Sequence, residues 1–327
     1  MSTSTLKYSV AIVMDPIQSL NIKKDTTIAM IREAQARGLT LYYCQPRDLF
    51  VREGVVYAEL TPFNIDLTAD PFYTLGTPTT VPLHTIDVVL MRKDPPFDME
   101  YVYSTYLLEM AARKGALVVN RPDSIRAANE KLFATWFAEF CPPTLVTRDM
   151  QRIKAFIAEQ QFIVVKPLDG MGGSQVFQIK ANDPNQNVIL ETITYYGQRT
   201  VMAQRFLPEY KQGDKRILII NGKPYPHALA RIPAEGEARA NLAAGGKGVG
   251  VDLTPREYEI CKAIAPTLVE MGLLFVGLDV IGDYVTEINV TSPTGVRELE
   301  AQYGDNITAL LWDAIEQNLI QRQGARA

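Results

Sequence analysis

Residues 8–43 encode a strand, a helix and a second strand in succession, and that order restricts the fold more than any other feature. Residues 8–14 are apolar and largely β-branched, and the run stops at Asp15-Pro16. Asp25 reads as the N-cap of a helix over 26–37, where Ile28, Ile31, Ala34 and Ala36 recur at rough helical spacing before Gly38 ends it. Residues 39–43 supply the next strand. Two strands joined through a helix predict a parallel sheet. No Gly-x-Gly-x-x-Gly follows the first strand, so a dinucleotide fingerprint is absent. A strand over 86–91, a helix over 101–113 and a strand over 117–120 carry the same α/β unit to Arg121-Pro122.

The pattern then changes. A helix is expected over 127–140, closed by Cys141-Pro142-Pro143, and another over 150–159. Strands over 162–166 and 175–179 flank Asp169-Gly-Met-Gly-Gly-Ser174, and a strand over 201–206 runs into Leu207-Pro208. Residues 216–220 and 225–231 surround Asn221-Gly222, a strong hairpin-turn pair. A helix over 255–271, a hairpin over 275–290 and a closing helix over 307–321 follow. Two stretches carry no pattern: 46–84, rich in Thr and Pro, and 233–250, rich in Gly and Ala. The expected division is 1–125, 126–204 and 205–327.

Composition excludes several classes. With 33 Lys+Arg against 37 Asp+Glu the net charge is −4, which argues against sequence-independent nucleic-acid binding. The longest apolar runs are strand-sized and the N-terminus lacks a signal-peptide pattern, so a cytoplasmic protein with no membrane partner is expected. Cys44, Cys141 and Cys261 are too few and too scattered for a disulfide framework or a cysteine zinc site. His84 and His227 form no ligand cluster in sequence, and a structural role is expected for both.

Three constellations could carry chemistry. In the glycine-rich segment, backbone N–H groups can turn toward a phosphate without a clashing Cβ. It lies between two strands and lacks the Gly-Lys-Ser/Thr ending of a P-loop. A plain hairpin turn is the alternative, but Lys166 at the mouth of the loop favours a phosphate cover.

The second is the hairpin from Gly277 to Asn289. Glu287 and Asn289, two apart on a strand, share a face. A three-residue loop at 282–284 sets Asp279 opposite Glu287, whereas a two-residue Gly282-Asp283 loop sets it on the other face. Leu278, Val280 and Ile288 make the opposite face apolar, so the three-residue loop is expected. Paired carboxylates repel unless a cation lies between them. Oxygen ligands point to a hard ion, and Mg²⁺ commonly shares its shell with substrate phosphates. A solvated polar face is the alternative.

Arginines are the third: Arg92 after a strand, Arg216 closing Gly213-Asp-Lys-Arg216, and Arg231 at a strand end. Guanidinium groups grip carboxylates and stabilise oxyanions.

These motifs together resemble the bacterial glutathione synthetases, a family of ATP-grasp ligases. The resemblance rests on Val13-Met-Asp-Pro16, Met91-Arg-Lys-Asp-Pro-Pro-Phe-Asp98, Asn129-Glu-Lys-Leu-Phe133, Lys166-Pro-Leu-Asp-Gly-Met-Gly-Gly173, Gly213-Asp-Lys-Arg216, Asn241-Leu-Ala-Ala-Gly-Gly246 and Thr286-Glu-Ile-Asn-Val-Thr-Ser-Pro293. It implies an ATP-grasp fold: an N-terminal parallel-sheet α/β domain followed by two ATP-grasp α+β subdomains with ATP between them. By the same resemblance Lys131 and Lys166 contact phosphates and Gly170, Met171, Gly172, Gly173 and Ser174 cover them. Gln204, Arg205, Phe206 and Leu207 face adenine, and Asp214 lies near the nucleotide. Asp279, Glu287 and Asn289 hold Mg²⁺, with Mn²⁺ as the alternative. Arg92, Asn241 and Ser292 fall on the substrate side, while Arg216 and Arg231 act as catalytic oxyanion donors.

The implied reaction activates γ-glutamylcysteine with ATP as an acylphosphate that glycine then attacks, under a lid formed by 233–250. A homotetramer is implied as well. Another carboxylate–amine ligase of the ATP-grasp class, such as a D-alanine–D-alanine ligase, would share the lysines, glycine loop and acidic hairpin. Residues 91–98 and 241–246 favour the glutathione branch. A non-catalytic nucleotide-binding protein would be expected to lack the metal carboxylates or the arginines, and both are present.

Overall fold

The computed structural model describes residues 7–170, 174–234 and 246–324. Its N-terminal sheet runs in the order Leu49–Arg52, Val55–Ile65, Thr40–Cys44, Ser9–Val13, Val88–Met91, Leu117–Val119. The last four are mutually parallel, as the β-α-β opening requires. Asp25 caps the intervening helix, Thr26–Ala36, by accepting the Thr27 N–H at 2.7 Å. The unpatterned 46–84 stretch is an antiparallel extension in which Val55–Ile65 pairs with Leu49–Arg52, Tyr73–Leu75 and Thr79–Pro82.

A four-stranded antiparallel sheet follows, in the order Phe177–Lys180, Phe162–Pro167, Val201–Arg205, Thr144–Thr147. It packs with helices Met150–Gln160 and Gln186–Thr194 around Ile153, Ile157, Val165, Leu190 and Val201. The third sheet is five-stranded and antiparallel: Lys247–Asp252, Lys223–Ile232, Asp214–Ile220, Phe275–Ile281, Tyr284–Asn289. Helix Pro255–Glu270 covers one face through Ile260, Ile264 and Leu268. The closing helix, Ile307–Gly324, returns to the N-terminal sheet, where Trp312 is fully buried and donates its indole N–H to the Met30 carbonyl at 3.0 Å.

Several expectations are corrected. The expected helix over 127–140 does not form: the α-helix Pro122–Ala127 ends where that helix should begin, and the span instead holds a 3₁₀ segment, Phe133–Phe140, broken at Phe137. Between them the Asn129 carboxamide oxygen accepts the N–H groups of Lys131 and Leu132, a local turn that competes with helix. Part of the 233–250 stretch is also ordered as a strand, Lys247–Asp252. It was illegible because an edge strand rich in glycine and only partly buried shows no apolar alternation. The strand Thr144–Thr147 and the helices Gln186–Thr194 and Val296–Tyr303 also went unread.

The Asn221-Gly222 turn does join its hairpin in two residues, both at positive φ. The acidic hairpin differs from expectation in an instructive way. Its loop is the two residues Gly282-Asp283, since Ile281 pairs with Tyr284 and Val280 with Val285. Asp279 nonetheless faces Glu287, because Thr286 is an extra, bulged residue that shifts the register by one.

Candidate active site

A cavity of about 420 Å³ opens between the four-stranded and five-stranded sheets, and segments 94–95 and 291–295 close one side. Two strand rows meet there. Across the five-stranded sheet, Arg216 is the register partner of Asp279, and Asp279 that of Glu287. One step along, Asp214 is the partner of Arg231. Cross-strand neighbours on one face touch, so sheet register alone assembles this charge cluster.

Arg216 holds Asp279 with two parallel bonds, Nε to Oδ1 at 2.5 Å and Nη2 to Oδ2 at 2.9 Å. Arg231 Nη2 lies 2.6 Å from Asp214 Oδ2 and 3.0 Å from Asp279 Oδ2. Asn289 donates its Nδ2 to Asp279 Oδ2 at 3.2 Å, which leaves the amide oxygen as its remaining acceptor. Burial is the largest influence on Asp279 and opposes ionisation, but the two arginines overcome it and hold the carboxyl well below the usual range. Asp214 goes the other way. Burial pushes it up to about 6 despite Arg231, and its Oδ1 has no partner among the described residues.

Two lysines approach the same cluster. Lys166, buried at the end of its strand, contacts Glu287 Oε1 at 3.3 Å and the Thr286 carbonyl at 3.5 Å. The bulge therefore aims a backbone oxygen at this ammonium. Lys131 pairs with Glu130, donates to the Gly170 carbonyl at 2.7 Å and lies 3.6 Å from Glu287. It sits in the turn after Asn129, not on a helix as expected from sequence. Burial opposes the Glu287 carboxylate, yet Lys131 and Lys166 lower its pKa. Gly170 needs to be glycine, since a Cβ there would lie 2.7 Å from Pro167 Cγ.

The other end of the cavity is apolar. Val164, Val176, Leu207, Phe206 and Ile281 line it together with Gln204 and Arg205. Phe206 stacks on Phe162 with centroids 4.0 Å apart, and Arg205 lies over the Tyr284 ring at 5.3 Å. One charged end and one apolar end suit a nucleoside triphosphate.

Of the residues singled out from sequence, the cavity wall brings together Lys131, Lys166, Gly170, Ser174, Gln204, Arg205, Phe206, Leu207, Asp214, Arg216, Arg231, Asp279, Glu287, Asn289 and Ser292. Met171, Gly172, Gly173 and Asn241 lie outside the described residues. Arg92 is buried and is not among the residues lining this cavity; its Nε donates to Thr27 Oγ1 at 3.1 Å and its Nη2 to the carbonyl of Pro293, which does line it, at 3.2 Å. Its Nη1 has no partner among the described residues.

Sequence reasoning missed Glu130 and Asp94, which also line the cavity. Glu130 is raised by burial and by Glu287, and Asp94 by burial. Glu130 stood inside the quoted Asn129-Glu-Lys motif, and a carboxylate beside a phosphate-binding lysine was the available signal.

The donor set can be tested against a divalent ion. Among the described residues no three His, Cys, Asp or Glu side chains form a self-sufficient metal cluster. Two facing carboxylates and an amide oxygen do fit an ion that completes its shell with phosphate oxygens.

Comparison with known proteins identifies the lineage. Residues 8–126 match the N-terminal domain of prokaryotic glutathione synthetase, and residues 130–304 match its ATP-grasp domain. The glutathione synthetase of Shewanella oneidensis is 54% identical over 310 residues, covering 95% of this chain and 98% of that protein. That of Pseudomonas aeruginosa is 54% identical over 317 residues, 97% of this chain and 100% of its own length. Among solved structures, the D-cycloserine synthetase DcsG superposes with a TM-score of 0.67 at 15% identity, covering 95% of this chain and 99% of that one. The D-alanyl-alanine synthetase A of Vibrio cholerae superposes at 0.59 with 14% identity, covering 96% and 99%. Those two likenesses establish the ATP-grasp fold, and the two matched domains with the close relatives establish more: this chain belongs to the prokaryotic glutathione synthetase family.

Proposed function

We propose that the cleft joins γ-glutamylcysteine to glycine at the expense of ATP, forming glutathione, ADP and phosphate. The observation that carries this reading is the convergence of Lys131, Lys166, Arg216 and Arg231 on the carboxylates of Asp214, Asp279 and Glu287, beside an apolar slot. Phosphoryl transfer asks a protein mainly to position reactants and neutralise charge, and four cations at one end of the cavity do both.

The purine would lie against Gln204–Leu207 and the phosphates would run toward Lys131, Lys166 and the glycine loop. Among the described residues Lys166 makes only long contacts, at 3.3 and 3.5 Å, so exchanging them for phosphate oxygens costs little. Asp279, Glu287 and Asn289 would hold Mg²⁺ or Mn²⁺, which supplies charge neutralisation and a template for the phosphate oxygens.

The cysteinyl carboxylate of γ-glutamylcysteine attacks the γ-phosphorus, and the bond to ADP breaks. The glycine amine, once deprotonated, attacks the acyl carbon of the resulting acylphosphate, and phosphate leaves as the amide forms. Arg216 and Arg231 are placed to stabilise the transferring phosphoryl oxygens and the tetrahedral oxyanion, each donor worth roughly 3 kcal/mol. Asp214, which lines the cavity with a pKa raised to about 6 and one carboxyl oxygen without a partner among the described residues, suits the proton released by the amine. Ser292 and Asp94, on the segments closing the cavity, fall on the acceptor side.

ADP release measured with each of ATP, γ-glutamylcysteine and glycine omitted in turn tests the reading. Full turnover requires all three, and D-alanine in place of both carboxylate and amine substrates should give none. Brisk D-alanine-dependent release would transfer the chain to the dipeptide-forming ligases instead. A cytoplasmic homotetramer is part of the same reading. Met99, Tyr103 and Tyr106 are exposed on one face of helix Met99–Lys114 and offer apolar surface for self-association. Light scattering gives the subunit number.

A further inference from the structure

At the apolar end of the cavity, four side chains form a row across the four-stranded sheet. Gln178 is the register partner of Val164, Val164 of Gln204, and Gln204 of Thr144. Gln178, Val164 and Gln204 line the cavity, and Gln204 is only 5% exposed. A buried carboxamide facing a ligand slot has two possible orientations, and which one it takes decides whether it offers a donor or an acceptor.

Thr144 decides it. Its hydroxyl carries one proton, and the Pro142 carbonyl takes that proton at 2.7 Å. A carbonyl oxygen can only accept, so Thr144 Oγ1 has nothing left to give and must itself accept from Gln204. Gln204 accordingly donates Nε2 to Thr144 Oγ1 at 3.0 Å. The opposite orientation would set an amide oxygen against a hydroxyl oxygen with no proton between them. Its carboxamide oxygen is thereby left as the side chain's acceptor for a ligand in the slot.

We infer that the Pro142–Thr144–Gln204 relay makes Thr144 a positioning residue for nucleobase choice, favouring a purine with an amino group at C6 over one with an oxo group. An amino group donates to the Gln204 oxygen. A 6-oxo purine brings a second acceptor to the same place and leaves two buried acceptors facing each other, a desolvation cost without a bond. The inference rests on the reading that this end of the cavity holds the base.

The test compares kcat/KM for ATP and for inosine triphosphate, with γ-glutamylcysteine and glycine saturating. The native enzyme should prefer ATP. Thr144→Val keeps the shape but removes the hydroxyl, so the Gln204 amide can turn over, and the ATP-to-ITP ratio should fall roughly tenfold, the equivalent of about 1.4 kcal/mol. Thr144→Ser, which restores the hydroxyl, should return the ratio to the native value. A merely structural role for Thr144 would lower both substrates alike. If Thr144→Val fails to fold, Gln204→Leu serves, since it removes the acceptor and should erase the preference. An unchanged ratio in Thr144→Val or Gln204→Leu overturns the inference.

Val164→Phe, which fills the slot, separates that failure from failure of the base assignment. It should raise the KM for ATP. An unaltered KM would remove the base from this end of the cavity, and the role of Thr144 would fall with it.

Discussion

Arg216 and Asp279 are direct cross-strand partners, and their side chains meet in a two-point ion pair with bonds of 2.5 and 2.9 Å. Both are buried, so the pair is held in place by the sheet and shielded from water. Removing one partner of such a pair leaves the other charge stranded, which typically costs about 3–5 kcal/mol. Arg216→Ala should therefore lower the thermal midpoint in calorimetry as well as turnover. Arg231 stays 3.0 Å from Asp279 and should keep the chain folded. Arg216→Lys keeps the charge without the planar fork, and should recover most of the stability but little of the turnover. Equal recovery of both would mean that charge alone is what the reaction uses.

Glu287 stands between two lysines, with Lys166 at 3.3 Å and Lys131 at 3.6 Å. Glu287→Gln should cut turnover on the order of a hundredfold or more, as loss of a key electrostatic group does. It should also raise the magnesium concentration needed for half-maximal rate. Circular dichroism should show an intact fold. A normal rate at limiting magnesium would take Glu287 out of the metal set.

Asp214 and Glu287 make opposite contributions to stability against pH. Burial raises the Asp214 carboxyl from 3.8 to about 6 in the folded chain. Its contribution is fully present below about pH 4, where the acid is neutral in both states, and is lost as pH rises toward 6. Glu287 is lowered by its lysines, so its contribution is present above its ordinary value of 4.5 and is lost as pH falls below that. Asp214→Asn should therefore flatten the stability profile between pH 4 and 6 and leave the acid limb in place. Urea melts at pH 4, 5, 6 and 7 measure this. A profile unchanged in that window would mean that Asp214 is ionised throughout it.

How much of this site could be read from the chain is clearest in the acidic hairpin. Alternation of Leu278, Val280 and Ile288 against Asp279 and Glu287 was enough to place the two carboxylates together. It was not enough to show how, because a bulge at Thr286 and a loop of three residues shift register by the same single step. Lys131 shows the reverse problem. Residues 127–140 have helical composition, but the Asn129 side chain caps a new turn and the Glu130 carbonyl accepts the Ile288 N–H at 2.7 Å. That second bond comes from a strand far along the chain, and no local pattern encodes it. Residues 46–84 differ: their strands pair with one another, beginning with a tight turn at Glu53-Gly54, and join the parallel sheet only through Tyr42 and Tyr43 opposite Pro62 and Thr61, but edge strands with many exposed positions showed no apolar alternation to read. Arg92, singled out because it follows an apolar strand, meets the cavity through the Pro293 carbonyl of the 291–295 segment, a contact between residues 201 apart that no local pattern encodes.

Gly277 offers the most selective probe of arginine placement. It faces Asn289 across the hairpin, and a Cβ built there would lie 2.9 Å from Arg216 Cδ, 3.0 Å from Arg216 Nε and 3.0 Å from Pro293 Cβ. Its φ is not in the left-handed region, so alanine suits the backbone and the conflict is wholly with the guanidinium stem and the proline. Crowding of this kind commonly costs about 1–3 kcal/mol, which leaves a folded protein. Arg216 is the part that can give way, and a shift of a few tenths of an ångström would spoil the two-point grip on Asp279. Gly277→Ala should then lower kcat by an order of magnitude or more with little change in the KM for ATP, since the base slot lies elsewhere in the cavity. Steady-state kinetics beside a thermal melt make the measurement. A variant with native kcat would show that the chemistry tolerates a displaced Arg216, and the oxyanion role would then pass to Arg231 alone.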